Sequence, residues 1–314
     1  MKTTTVHSAL FGLAIGDALG VPVEFREREI LKRFPVIDMR EYGTHHQPKG
    51  TWSDDSSLTF CLADSLCNGY DLSEMAHYFL LWSRSEMWTP HGRVFDIGIA
   101  TRNAMYNISK GETPEFCGGM DEEDNGNGSL MRILPLAFYL KDEEDVEVVF
   151  QKVKEVSSIT HAHFRSVFSC FIYVVFAIEL LKKTNKWEAY HKTKEGVNLF
   201  AQKKEFNSNE ITLFNRILLK NINEFHEDVI HSSGYVLHSL EASFWCVLNS
   251  NSYEETVLKA VNLGSDADTT AAISGGLAGI IYGYEAIPAE WREALTCKNA
   301  IFELCTKLSE KYEI

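Results

Sequence analysis

Gly12, Gly16 and Gly20 recur at every fourth position of "SALFGLAIGDALG", so in a helix they share one face, with Ala14 and Ala18 on a neighbouring one. The segment "TTAAISGGLAGIIYG" does much the same with Ala272, Gly276 and Gly279 or Ile280. Each interior glycine costs a helix about 1 kcal/mol relative to alanine, so several together need an offsetting gain. Close approach of two backbones, with dispersion contacts along the seam, supplies it. The spacing therefore predicts that these two helices pack against each other at the centre of the fold, bringing residues 17–24 beside residues 266–269. The competing reading is that the glycines mark unrelated bends.

Helical periodicity runs through nearly every other segment, and alternating strand-like runs are scarce. In "SYEETVLKAVNLG", Ser252 and Glu255 form a capping-box pattern, Val257, Leu258 and Val261 make one face, and Gly264 stops the helix. "DLSEMAHYFLLW" from Asp71 repeats the start signal. Apolar-faced helices are expected over residues 129–140, 164–181 and 234–248, with about a dozen helices in total. No Pro/Gly/Ser linker, low-complexity tract or fixed-period repeat divides the 314 residues. The expected fold is all-α: a single compact multi-helix domain over residues 1–314, with the small-residue helices at its centre. The polar stretch 182–210 carries no recognisable motif.

An apolar content of 45% suits a well-packed core. The N-terminal apolar run is interrupted by Gly12, Gly16 and Asp17, a poor signal peptide, and no run approaches the ~18 residues of a membrane span. A soluble, cytoplasmic protein is expected, by default a monomer. The seven cysteines are dispersed and never spaced as CxxC, which suggests neither a disulfide framework nor a zinc site. Cys61, Cys67, Cys170 and Cys246 lie in apolar helical patterns and read as small core residues. A formal charge of −14 disfavours sequence-independent binding to nucleic acid or to anionic lipid.

Two acidic stations stand out. In "GTWSDDSSLTFCLADSL", Asp54 and Asp55 precede the amphipathic pattern Leu58, Cys61, Leu62, Leu66; in "GSDADTTAAISGG", Asp266 and Asp268 stand in the same relation to the small-residue helix. A lone aspartate at a helix start reads as a cap, because its carboxylate accepts orphan N–H groups and complements the helix dipole. A cap needs one carboxylate, yet each station has two, flanked by the hydroxyls of Ser53 and Ser56 or Thr269 and Thr270. Clustered carboxylates raise each other's pKa unless a cation neutralises them, and hard cations such as Mg²⁺ want carboxylate and hydroxyl oxygens. If the stations meet, they could hold a pair of such ions. In "DNGNGSLMR", Gly126 and Gly128 allow a tight turn and Ser129 opens a helix whose free N–H groups could face an anion; taken alone, these residues read better as an ordinary capped turn. His161 and His163 in "SITHAHFRS" would point about 200° apart on a helix and cannot form one ligand pair. Asp17 reads as a structural hydrogen-bond acceptor, while His45 and His46 sit where they could line an entrance.

"GLAIGDALGVPVEF", "GTWSDDSSLTFCLADSL", "DNGNGSLMR" and "NLGSDADTTAAISGGLAGIIYG" resemble, in order and spacing, the motifs of the ADP-ribosylglycohydrolases, over about residues 6–284. The resemblance implies an all-helical fold with two Mg²⁺ or Mn²⁺ ions in a cleft. Ser53, Asp54 and Asp55, with Asp266, Asp268 and Thr269, are the implied metal ligands. Glu24 matches a family glutamate beside the metals and the scissile bond, although from composition alone it would pass as an exposed acid. Asn127, Gly128 and Ser129 match part of the ADP-ribose loop, and "FDIGIATRNAM" places Asp96 and Gly98 at the substrate ribose, where Asp96 could equally cap the following helix. His161 is expected buried and hydrogen-bonded near the substrate. Ser56 stands where many relatives have threonine, and the hydroxyl is retained.

The implied reaction is hydrolysis at the anomeric carbon of an ADP-ribosyl group, on a modified protein or a small conjugate, releasing ADP-ribose. Glu24, or one of the aspartates Asp55 and Asp266, is expected to move the proton. The leaving group is open among arginine, serine, an acetyl ester and a nucleobase. Two rivals stand beside this reading: a catalytically silent ADP-ribose-binding or structural relative, and a Mg²⁺-dependent nucleotide phosphohydrolase.

Overall fold

In the computed structural model, which describes residues 3–314, the two small-residue segments are helices packed along their whole length. The first spans Thr5–Gly20 (α1) and is buried on every side from Val6 onward. Its partner, Ala267–Tyr282, is numbered α10 below. A Cβ on Gly12 would fall 2.4 Å from the Gly275 carbonyl oxygen, on Gly16 2.1 Å from that of Ala271, and on Gly20 2.2 Å from Asp268 Cα. A Cβ on Gly279 would lie 2.0 Å from the Ser8 carbonyl oxygen. Backbone, not side chain, blocks each position, so the seam admits nothing larger than glycine there. The seam facing α1 runs through Ala271, Gly275 and Gly279; Gly276, expected on it, turns instead to Leu134 and the Tyr173 hydroxyl. The expected neighbourhood of residues 17–24 and 266–269 follows directly, since Gly20 rests on Asp268.

Among the described residues nine further helices of ten residues or more complete the frame. They are Asp54–Asn68 (α2), Leu72–Ser85 (α3), Ile99–Ser109 (α4), Val146–Ser158 (α5), Phe164–Leu181 (α6), Lys186–Lys204 (α7), Val236–Leu248 (α8), Tyr253–Asn262 (α9) and Lys298–Tyr312 (α11). Among the described residues only isolated β-bridges occur, so the fold is all-α as expected. Asp71 caps α3 by accepting from the amides of Ser73 and Glu74, and Ser252 caps α9 by accepting from Glu255. The motif-free stretch 182–210 contains α7, which buries Tyr190, Val197 and Phe200, with Phe200 packed on Phe171 of α6.

Two sequence expectations change. Residues 129–140 do not form one helix: only Pro135–Tyr139 is regular, because Pro135 has no N–H to continue the ladder. Two helices, Thr5–Val23 and Phe164–Leu181, are after all long and apolar enough to cross a bilayer. Of these windows 100% and 72% of residues are buried inside the protein, so neighbouring helices rather than lipid cover the apolar surface.

Candidate active site

At the first station Ser53 is the N-cap of α2, its Oγ accepting from the Asp55 amide at 3.3 Å. Asp17, reaching across from α1, takes the amides of Ser53 (2.9 Å) and Ser56 (3.1 Å) and the Ser56 hydroxyl (2.5 Å). Asp17 is thus the structural acceptor expected, and burial, only partly offset by these bonds, lifts it to about 6. With the helix start satisfied by Ser53 and Asp17, Asp54 and Asp55 have no capping duty.

The second station repeats the outcome by another route. Asp266 occupies the N-cap position of α10 but makes no side-chain cap bond; its Oδ2 accepts instead from Asn127 Nδ2 at 2.6 Å. Asp268 Oδ1 accepts from the Thr269 amide at 2.8 Å. Thr269 Oγ1 donates to Asp55 Oδ2 at 3.2 Å, and Ser53 Oγ donates to the same oxygen at 2.8 Å. The two stations therefore touch. Carboxylate oxygens of Asp17, Asp55 and Asp268 lie within 4.8 Å of one another, as do those of Glu24, Asp266 and Asp268.

Burial first, and the neighbouring carboxylates next, push Asp54, Asp55 and Asp268 well above the ordinary carboxylate range, and burial also raises Asp266. No lysine or arginine among the described residues pairs with any of them. Asp55 Oδ1 and Asp268 Oδ2 are buried without a hydrogen-bond partner. Oxygen-only donors, orphaned inward-facing oxygens and missing counter-charge together fit one or more hard divalent cations.

Glu24 hangs over this floor from a loop. The amide of Phe25 donates to the Ser265 carbonyl (2.6 Å) and that of Ser265 to Arg26 (2.8 Å), tying the loop to the residue before Asp266. Phe25 and Ser265 both take left-handed backbone, φ +61° and +59°. Glu24 is only 3% exposed, its side chain paired with His45 Nε2 and close to Asp96. Burial, then the charges of Asp96 and Asp266, raise Glu24 to about 10. Asp96 (φ +53°) does not cap α4; Gly98 holds that position, and both line the cleft. His46 is exposed and outside this cluster.

The cleft holds about 490 Å³ and is lined by Glu24, Asp54 and Asp266 together with Asn127, Gly128 and His161. Neither Gly126 nor Gly128 has a left-handed φ, so the expected tight turn is not what requires them. Space does: a Cβ on Gly128 would meet His161 Cε1 at 2.7 Å. Ser129 is corrected. It opens no regular helix, and its fully buried Oγ accepts from Ser157 Oγ at 2.9 Å, facing away from the cleft. His161 is buried and hydrogen-bonded as expected, Nδ1 to Thr160 Oγ1 at 2.9 Å. Residues 161–163 are not helical; His163 is the N-cap of α6, accepting from the Arg165 amide. From the residues alone His45 reads as an entrance residue and Glu24 as an exposed acid; the structure instead pairs the two, with Glu24 buried. The only available signal was an acid directly after the apolar "VPV".

This fold and this site define the ADP-ribosylglycohydrolase class. The family model of that name matches residues 3–313, and the chain belongs to the family. It is 34% identical over 305 residues to an ADP-ribosylarginine hydrolase, Tri1, of Serratia proteamaculans, covering 96% of this chain and 77% of that one. It is 28% identical to the ADP-ribosyl-[dinitrogen reductase] glycohydrolase of Rhodospirillum rubrum, over 95% and 94% of the two chains. A solved structure described as an ADP-ribosylglycohydrolase-related protein complex superposes with a TM-score of 0.79 at 29% identity, over 98% of each chain.

Proposed function

We propose that this chain hydrolyses the glycosidic bond between ADP-ribose and an arginine side chain, with divalent cations, two Mg²⁺ or Mn²⁺, as cofactor. The observation that carries the reading is the meeting of two carboxylate stations, buried, unpaired and facing one cleft. Ser53, Asp54, Asp55, Asp266, Asp268 and Thr269 would hold the cations. When bound, such ions neutralise the clustered charge and polarise oxygen atoms of substrate and water. Asn127, Gly128 and His161 line the part of the cleft suited to the ADP-ribosyl group, and Asp96 and Gly98 the part suited to its ribose. Glu24 stands where it can take a proton from the attacking water or give one to the leaving nitrogen, with Asp55 and Asp266 as the other candidates for that proton.

Arginine is favoured among the open leaving groups by two considerations. The relative at 34% identity is named for that substrate. The rim formed by Glu24, Asp96 and Glu123 is acidic, which suits a guanidinium better than a neutral acceptor. A complete ligand set favours an enzyme over a silent relative. The single-domain, monomeric and cytoplasmic reading belongs to the same proposal; the protein cover over both apolar helices supports only their place inside the fold rather than in lipid.

The test is product analysis on ADP-ribosylated arginine, serine, acetyl ester and nucleobase substrates, with and without chelator. Release of free ADP-ribose from arginine, abolished by chelator and restored by Mg²⁺ or Mn²⁺, is expected. AMP or inorganic phosphate as product would instead establish a phosphohydrolase, and binding of ADP-ribose without turnover a silent relative.

A further inference from the structure

Behind the cleft wall lies a fully buried cation that the site does not use directly. Arg132 has no carboxylate partner; its guanidinium carbon lies 4.4 Å from the centroid of the Phe79 ring. Its Nη2 donates to the Val156 carbonyl at 3.1 Å and to Thr160 Oγ1 at 2.8 Å. Thr160 Oγ1 in turn lies 2.9 Å from His161 Nδ1. All three residues are buried, so bulk solvent does not reach Thr160 Oγ1, and its partners are the two protein groups on either side of it.

That accounting has one solution. A guanidinium only donates, so Thr160 Oγ1 must accept from Arg132. Were His161 Nδ1 protonated, it too would donate to Oγ1, and the threonine O–H would be left buried without an acceptor. With Nδ1 bare, the threonine O–H donates to it and both Thr160 Oγ1 and His161 Nδ1 are satisfied, while Arg132 Nε and Nη1 stay buried without a protein partner. The proton of a neutral imidazole then sits on Nε2. No protein group among the described residues pairs with Nε2, and the glycines of the facing loop leave it bare: a Cβ on Gly126 or Gly128 would come within 3.4 or 3.2 Å of it.

We propose that Arg132 and Thr160 are positioning residues that fix His161 as the Nε2–H tautomer, so that a neutral imidazole presents one N–H donor to an oxygen of the bound ADP-ribosyl group. This deepens the reading of the cleft as an ADP-ribose site and rests on it. Burial, with Arg132 nearby, also lowers the His161 pKa to about 3, so the ring stays neutral through the ordinary range of pH. Chain order matters here: Asn127 to Arg132 supply the bare loop and the buried cation, while Thr160 and His161 are adjacent, so one short segment meets one dipeptide.

The test has two arms on the full-length protein. Long-range ¹H–¹⁵N NMR of histidine-labelled protein, with His161→Gln to assign the signal, reads the tautomer without any substrate. An unprotonated Nδ1 and protonated Nε2 are expected in the wild type and in Thr160→Ser, and a tautomer mixture or inversion in Thr160→Val. The second arm measures ADP-ribose binding and steady-state kinetics. Thr160→Val should raise KM and weaken ADP-ribose binding roughly three- to tenfold at little cost in kcat, the size expected for one hydrogen bond, and Thr160→Ser should restore both. A wild-type Nδ1–H signal, or a Thr160→Val protein with unchanged tautomer and KM, overturns the proposal. Should Thr160→Val not fold, the wild-type spectrum and Thr160→Ser still decide. A wild type with the expected tautomer that neither binds ADP-ribose nor turns over an ADP-ribosylated substrate would remove the assigned acceptor, and would locate the failure in the reading of the cleft rather than in the relay.

Discussion

The floor of the cleft and its rim are built by different means. Floor carboxylates Asp54, Asp55 and Asp268 stand in the first turns of α2 and α10, held by helix hydrogen bonds and by the glycine seam that brings Asp268 under Gly20. Rim residues Glu24 and Asp96 come from loops, where Phe25 and Asp96 need left-handed backbone and Glu24 is steered by a single imidazole. Such conformations cost a non-glycine residue of order 1–3 kcal/mol and persist because surrounding structure enforces them. The contrast teaches a division of labour: the floor fixes charge in space, and the rim places a proton carrier over it. Fold and site are inseparable on the floor and separable at the rim, and that difference can be attacked directly.

The severest break is in the seam. Gly16→Val puts a branched side chain where even a Cβ would sit 2.1 Å from the Ala271 carbonyl oxygen. Overpacking against backbone should cost about 3 kcal/mol or more and shift the stations apart, so thermal unfolding by circular dichroism should show a large fall in Tm together with loss of activity. A Gly16→Val protein of normal Tm would mean that the two helices can part without harm, contrary to the account of the floor.

Asp268→Asn separates charge from fold. Asp268 belongs to both carboxylate groups, so its loss should lower activity by more than about 100-fold, beyond what outer partners of a metal site usually cost. The same change removes a like charge from a buried cluster, so the metal-free protein should gain Tm while the increment on adding Mn²⁺ shrinks. Differential scanning fluorimetry with and without Mn²⁺ checks both signs.

At the rim the pattern should invert. Glu24→Gln is expected to lower kcat roughly 10²–10⁴-fold while the Mn²⁺-induced rise in Tm survives, because a proton carrier is lost and the floor is intact. Full turnover by Glu24→Gln with metal bound would hand the proton to Asp55 or Asp266. His45→Gln should act through Glu24 and therefore more weakly, about tenfold on kcat, with Tm almost unchanged.

The same division decides what the sequence discloses. Glycines at every fourth position and doubled aspartates at helix starts are local patterns with a physical cause, so the seam and the two stations are legible from residues alone. Legibility stops where placement depends on chain reversal. Nothing near Glu24 announces that Ser265 will clamp its loop or that His45 will reach it, and Asp96 looks like a cap although Gly98 takes that place. Ser129 fails for a related reason: its motif is right, but Pro135 breaks the expected helix and the hydroxyl turns to Ser157. Thr160 and Arg132 carry no signal at all until the fold stacks them behind His161.

The smallest effect tests whether the wall behind the rim is as rigid as the floor. The folded pKa of His161 is about 3, against 6.5 for the free side chain. Between those values the unfolded chain holds a proton that the folded chain does not, so folding stability contributed by the neutral ring is fully present above pH 6.5 and is lost as pH falls toward 3. From pH 7 to pH 6 the loss from this one group is about 0.7 kcal/mol, and it steepens below. Denaturant titrations of the wild type and His161→Gln at both pH values should therefore differ by that amount, with the wild type alone losing it. Equal pH dependence in the two proteins would mean that the ring can charge in place, as a mobile wall permits and a fixed one does not.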